Sequence, residues 1–127
     1  MRVSPVNTTN DVSETDPEGL FTVLADALKE KPLAYLHVIE AAAEPRVTRA
    51  MRKIFRGSLV VNDGYDRNTA EKALKSDLAD LVSFGRHFIA NPDLPARFEK
   101  DADLNETDPS AFYGGSEKGY IDYPRLG

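Results

Sequence analysis

The sequence predicts an α/β protein in which parallel strands and helices are laid down as repeated β/α units. Three observations carry that prediction. Short apolar runs of strand length alternate with stretches whose apolar residues recur at helical spacing. The run from Ala34 to Ile39 is apolar almost throughout, as a parallel-sheet strand buried on both faces requires. A helix precedes each return to the sheet, and this calls for crossovers rather than hairpins. An open flavodoxin-like sheet and half of an eight-stranded β/α barrel both satisfy the pattern. Periodicity does not choose between them.

Arg2-Val3-Ser4-Pro5 opens the chain as a strand, and a polar loop from Asn7 to Asp16 follows. Acids at Asp11, Glu14 and Asp16 belong to that solvated loop. Thr15-Asp16-Pro17-Glu18 is a helix start, with an oxygen to cap the first amides, a proline early in the first turn and an acid favoured by the helix dipole. Leu20, Phe21, Leu24, Ala27 and Leu28 then share one helical face, and Lys31-Pro32 stops the helix. After the strand over 34–39, Val47, Ala50, Met51, Ile54 and Phe55 mark a second helix from Pro45, which Gly57 terminates. Arg46, Arg49, Arg52, Lys53 and Arg56 fall on its other face as solvated cations. Ser58 to Asn62 is the next strand and Asp63 to Asp66 the turn after it. Asp66 or Asn68 caps a third helix carrying Ala70, Ala73, Leu74 and Leu78. Asp80 to Phe84 reads as a further strand, closed by Gly85-Arg86. Short helical pieces follow near 87–90 and 93–100. The stretch from Asp101 to Gly127 has no clear period and must pack on something to be ordered.

Composition narrows the function. The chain has 127 residues, enough for one small domain, with 16 basic and 21 acidic groups and a net charge of -5. That acidic balance argues against a general nucleic-acid binder. No apolar run reaches the ~20 residues of a membrane span, and no secretory signal opens the chain. Cysteine is absent, which removes disulfides, thiol nucleophiles and thiolate metal sites and is in keeping with a cytoplasmic location. The two histidines, His37 and His87, lack metal-motif spacing, so no metal is expected. His37 sits in an apolar strand and reads as a satisfied core residue. Glu40, just past that strand, suits a functional role or a cap for the next helix. The glycine-rich string from Gly114 to Gly119 lacks the Gly-Lys-Ser/Thr ending of a P-loop, and no Gly-x-Ser-x-Gly elbow occurs.

In either architecture ligands collect where strands end and helices begin. The last two strands end in glycine turns, Asn62-Asp63-Gly64-Tyr65 and Phe84-Gly85-Arg86. Glycine lets backbone approach a ligand, and the Arg86 guanidinium matches phosphate oxygens. Two such turns with an arginine form an anion-binding candidate.

Specific strings then carry a resemblance. Arg2-Val-Ser-Pro, Tyr35-Leu-His-Val-Ile-Glu40, Val60-Val-Asn-Asp-Gly-Tyr65, the run from Phe84 to Pro95 and the run from Phe112 to Pro124 occur in order. Together they resemble the carboxyl-terminal part of the old yellow enzyme family, the FMN-dependent ene-reductases that include N-ethylmaleimide reductase-like NADH:flavin oxidoreductases. The resemblance covers essentially the whole chain. It implies strands five to eight of a TIM-type β/α barrel over residues 1–100, and an extension over 101–127 that packs on the barrel. It further implies that Arg2 meets the flavin, where a cation stabilises negative charge. Asp63, Gly64, Gly85 and Arg86 would hold the FMN phosphate, and Tyr113 would lie near the flavin's outer edge or at the substrate mouth. NADH or NADPH would be the reductant and an activated alkene the substrate.

The departures are informative. Family members usually carry glycine where this chain has Asp63, and a carboxylate beside a phosphate repels it. The loop after Glu40 is shorter or rearranged relative to the family pattern. The substrate-binding histidine pair, the proton-donating tyrosine and the residues that face the isoalloxazine come from the family's amino-terminal half. No catalytic residue is therefore assigned here, and with Met1 close to the first strand motif the chain reads as a fragment, a split gene product or a late translation start. Such a half-barrel needs a complementary half or self-association to cover its open edges. The leading expectation is the FMN-binding portion of an ene-reductase. The alternative is a non-catalytic remnant or interaction module without flavin.

Overall fold

Asp16 starts the first helix as its sequence predicts: its side chain accepts the Gly19 amide at 2.9 Å, with Pro17 in the first turn. In the computed structural model, residues 1–6, 13–42, 44, 46–114 and 116–127 are described. The 7–12 part of the Asn7 loop, with Asp11, and Pro45 and Gly115 lie outside the described residues. Two units form, Met1–Ser83 and Phe84–Gly127.

The first unit runs β1 (Arg2–Val3), α1 (Pro17–Leu28), β2 (Leu36–Ile39), α2 (Arg46–Ile54), β3 (Leu59–Asn62), α3 (Arg67–Lys75) and β4 (Leu81–Val82). All three strand pairs are parallel and the order is β1-β2-β3-β4. This order decides the question that periodicity left open. Each unit adds its strand beside the last in one direction, and right-handed crossovers then put successive helices on the same face. A flavodoxin-like sheet reverses direction after its first pair; a barrel does not. The first unit is three consecutive β/α units and a fourth strand of a barrel.

Register aligns Arg2, His37, Val60 and Leu81 across the sheet, and Val3, Val38, Val61 and Val82 in the next row. Because side chains alternate, the two rows face opposite ways. Leu36, Val38 and Leu59 pack with Ala25, Val47, Met51 and Phe55 as the helix-side core. Burial of β2 on both faces is only half met. Leu36 and Val38 are fully buried, whereas His37 and Ile39 on the opposite face are half-buried.

The first helix is also rotated from its expected face. Ala25 is its buried residue, flanked by Phe21, Leu24 and Leu28, while Leu20 is 50% exposed and Ala27 is exposed. A fraction of a turn of rotation inside an apolar stripe this wide is set by the partner surface rather than by spacing. Leu74 is likewise exposed on α3, where the small Ala70 and Ala73 make the close approach. The last strand shortens to Leu81–Val82. Arg52 departs from the expected solvated face. Its guanidinium donates to Asp77 O at 3.0 Å, Gly57 O at 3.0 Å and the Asp80 carboxylate at 3.1 and 3.3 Å, and Asp80 also accepts the Leu59 amide at 2.8 Å. This arginine ties α2 to the entrances of β3 and β4.

The second unit contains α4 (Arg86–Ala90), α5 (Leu94–Lys100) and a 3-10 turn over Pro109–Ala111. Arg97, 5% exposed, donates to Asp93 Oδ1 at 2.9 Å, Asp103 O at 2.6 Å and Pro124 O at 2.8 Å. Asn91 accepts the Asn105 amide, and Asn105 in turn donates to Ala90 O and Pro124 O. The aperiodic tail is thus held by side chains reading backbone carbonyls. Among the described residues no helix is long and apolar enough to cross a membrane.

Candidate functional site

Parallel pairing sets Arg2 beside His37 on the sheet face opposite the helices. The pairing is reinforced by the His37 amide, which donates to Met1 O at 2.9 Å, and by the N-terminal ammonium, which donates to Tyr35 O at 3.1 Å. The Arg2 side chain is exposed and makes no ion pair with another described residue. His37 Nε2 lies 3.0 Å from Ser83 Oγ. Asn62 donates to Ser83 O at 2.7 Å and lies 3.1 Å from Ser83 Oγ. Burial lowers the His37 pKa, and the Arg2 and N-terminal charges push it the same way. His37 is a satisfied, neutral histidine paired in register with an exposed arginine. Sequence reasoning misses Ser83 and has Asn62 only as the start of a glycine turn, although each is a polar residue where an apolar run ends at the carboxyl end of a strand.

The turn after β3 is left-handed at both central residues, with φ of 93° at Asp63 and 70° at Gly64. The Asp63 carbonyl accepts the Ala42 amide at 2.9 Å, which fixes the turn. A Cβ at Gly64 would approach nothing closer than the Ala42 amide nitrogen at 3.8 Å, so it is backbone conformation and not crowding that calls for glycine there. The same conformation explains why glycine suits position 63. Asp63 bears a non-glycine side chain at positive φ, which aspartate tolerates better than most residues, and that side chain is exposed.

In the second unit Gly85 is the residue before the first turn of α4, with no side-chain cap, and a Cβ built on it would meet nothing within 4 Å. Its carbonyl accepts the Phe88 and Ile89 amides. Arg86 is exposed and without an ion pair to another described residue. Phe84 is anchored edge-on to Phe98, centroids 5.3 Å apart. Tyr113 is 98% exposed, touching Phe112 edge-to-face at 6.4 Å.

Glu40 resolves as a cap. It is 4% exposed and accepts the Val47 amide at 3.0 Å, the Thr48 amide at 2.7 Å and the Thr48 hydroxyl at 2.6 Å. A carboxylate at the start of α2 satisfies amides that have no helical partner. Among the described residues no group of His, Asp or Glu could hold a metal ion.

A family model described as NADH:flavin oxidoreductase / NADH oxidase matches residues 1–105. A 12-oxophytodienoate reductase-like protein of Solanum lycopersicum is 42% identical over 132 residues, covering 99% of this chain and 35% of the relative. Putative 12-oxophytodienoate reductase 10 of Oryza sativa subsp. japonica is 39% identical over 140 residues, covering 99% of this chain and 44% of the relative. Among solved structures, morphinone reductase in complex with tetrahydroNAD superposes with a TM-score of 0.91 at 45% identity, over 99% of this chain and 35% of that one. TcOYE with pHBA gives a TM-score of 0.91 at 32% identity, over 98% and 34%. Sheet order and coverage together define part of a β/α barrel of the kind these reductases share. The chain belongs to the NADH:flavin oxidoreductase / NADH oxidase family, the old yellow enzyme group. It spans 35% to 44% of the length of these curated relatives.

Proposed function

We propose that this chain is the FMN-binding portion of an NAD(P)H-dependent flavin oxidoreductase that reduces activated alkenes such as enones, maleimides and nitroalkenes. The observation that carries this reading is the 45% identity to morphinone reductase across nearly the whole chain at a TM-score of 0.91. The residues fit the cofactor apart from one. Arg2 and Arg86 are exposed guanidiniums without an ion pair to another described residue, and Gly64 and Gly85 are turns whose backbone is open to approach. FMN, when bound, supplies hydride to the alkene after accepting it from NADH or NADPH.

In this reading Arg2 holds a positive charge against the flavin's electron-rich edge. Arg86 offers a planar fork to phosphate oxygens, and Gly85 keeps side-chain bulk away from that end of α4. Asp63 and Gly64 contribute backbone, with the Asp63 carboxylate turned to solvent. Tyr113 is proposed at the substrate mouth. Leu81, 54% exposed on the end strand β4, supports a complementary set of β/α units or a second copy as partner.

One observation favours a second reading, a half-barrel interaction module without flavin: Asp63 puts a carboxylate at a left-handed position in a proposed phosphate turn. Titrating the chain with FMN and following flavin fluorescence separates the two. The cofactor reading expects saturable binding that Arg86→Ala weakens about tenfold or more, the worth of a charge-assisted phosphate contact, and that Asp63→Gly strengthens. A folded chain that does not bind FMN, in either the wild-type or the Asp63→Gly form, leaves the interaction module.

A further inference from the structure

The first unit carries an open groove of about 440 Å³ along α2 and α3, within the ~300–1,000 Å³ range of small-molecule sites. Its lining includes Ala42, Arg49, Tyr65, Lys72, Ala73 and Leu78. The proposed flavin chemistry uses none of these side chains. Tyr65 is 6% exposed, and its hydroxyl is a buried side-chain polar atom with no hydrogen-bond partner among the described residues. Such a group is costly to keep, because a phenylalanine ring fills nearly the same volume without a polar atom to desolvate. An unpartnered buried hydroxyl in the wall of a groove calls for an acceptor supplied from outside the chain.

The charges around it say which acceptor. Arg49 and Lys72 are exposed and make no ion pair with another described residue, whereas Lys75 on the same wall is held by Glu71 at 2.6 Å. Among the described residues the acid that acts on Tyr65 is Glu40, and its carboxylate is occupied by the α2 amides and the Thr48 hydroxyl. Burial and the Glu40 charge push the Tyr65 phenol pKa up while Arg49 opposes them, so the hydroxyl stays a neutral donor. A neutral donor flanked by two cations that have no ion pair among the described residues, on a wall that mixes Ala42, Ala73 and Leu78 with the hydroxyl-bearing Thr69 and Ser76, suits an amphiphilic anion.

We propose that this groove binds a small molecule carrying an oxyanion, phosphate or carboxylate, on a compact apolar body, with Tyr65 and Arg49 holding the oxyanion and Lys72 adding charge. The basic face of α2 thereby gains a role at one position, Arg49, while Arg52 remains a structural tie.

The test titrates the chain with phenyl phosphate, benzoate and inorganic phosphate in turn at physiological salt, reading amide shifts by NMR with saturating FMN present and absent. Saturable binding of phenyl phosphate or benzoate is expected, tighter than that of inorganic phosphate, and the better of the two identifies the headgroup. Shifts should centre on 65–78. Arg49→Gln and Tyr65→Phe should each weaken binding roughly tenfold, the worth of a charge-assisted hydrogen bond, and Lys53→Gln, an exposed cation outside the groove, should not. Binding that persists with FMN present separates this site from the flavin reading. The proposal is overturned if no probe saturates, if Lys53→Gln weakens binding as much as Arg49→Gln, if Tyr65→Phe and Arg49→Gln leave it unchanged, or if FMN abolishes it.

Discussion

Asp63 and His37 show how much one position can hide from a linear reading. Aspartate after a strand looks like an ordinary turn residue, and only the φ of 93° explains why glycine suits that place. His37 reads as a satisfied core histidine; its contact with Ser83 satisfies it, but it is half-buried on the face opposite the core. Its sheet register with Arg2 adds an electrostatic consequence. With a folded pKa below its ordinary 6.5, held down first by burial and then by Arg2 and the terminal ammonium, protonation favours the unfolded chain. Its contribution to stability is therefore fully present above pH 6.5 and is lost as pH falls through the folded value. Urea unfolding between pH 7.5 and 5 should show stability declining on the acid side, and His37→Gln should flatten that decline. An unchanged slope in the variant would assign the acid loss to other groups.

Helix boundaries were legible where the caps are local. Asp16 with Pro17 and Asp66 with Thr69 bond within three residues, a spacing that sequence displays directly. The start of α2 is different. Its cap is Glu40, seven and eight residues upstream, and the loop must fold back before the carboxylate meets Val47 and Thr48. That distance is why Glu40 could be read equally as functional or capping. Glu40→Ala should cost roughly 2–3 kcal/mol in a denaturant melt, since it strands buried amides as well as deleting the cap. Asp66→Ala, at an exposed terminus, should cost about 1 kcal/mol. Equal losses would mean that water replaces Glu40 at the start of α2. Arg52 belongs at this scale too, because its carbonyl partners at Gly57 and Asp77 come into reach only when the helix, the turn and the next strand are assembled.

Across the molecule the two units are stabilised differently. The first rests on an apolar layer between sheet and helices, while the second rests on polar side chains that read the backbone of a tail without periodicity. Arg97 is central to the second unit, since its fork spans Asp93, Asp103 and Pro124, and Asp93 also accepts the Leu126 amide at 2.6 Å. Arg97→Lys keeps the charge but not the planar set of donors. Limited proteolysis of that variant should cut within 101–127 several times faster than in the wild type, with the first unit's cleavage unchanged. Equal rates would mean that the Asn91–Asn105 bonds alone order the tail.

Taken alone, the sequence determined the α/β class, the order of its elements, where the two locally capped helices start and, through its motif strings, the family. Those properties depend on neighbours a few residues apart or on strings that survive as strings. Tertiary structure decided the barrel over the open sheet, because strand order is a property of pairing between distant segments. It also decided which face of α1 is buried, that Glu40 caps rather than catalyses, and that Arg52 is a tie rather than a solvated charge. In each case the deciding partner lies on another element, and a periodic pattern records only that a face exists, not what it will meet.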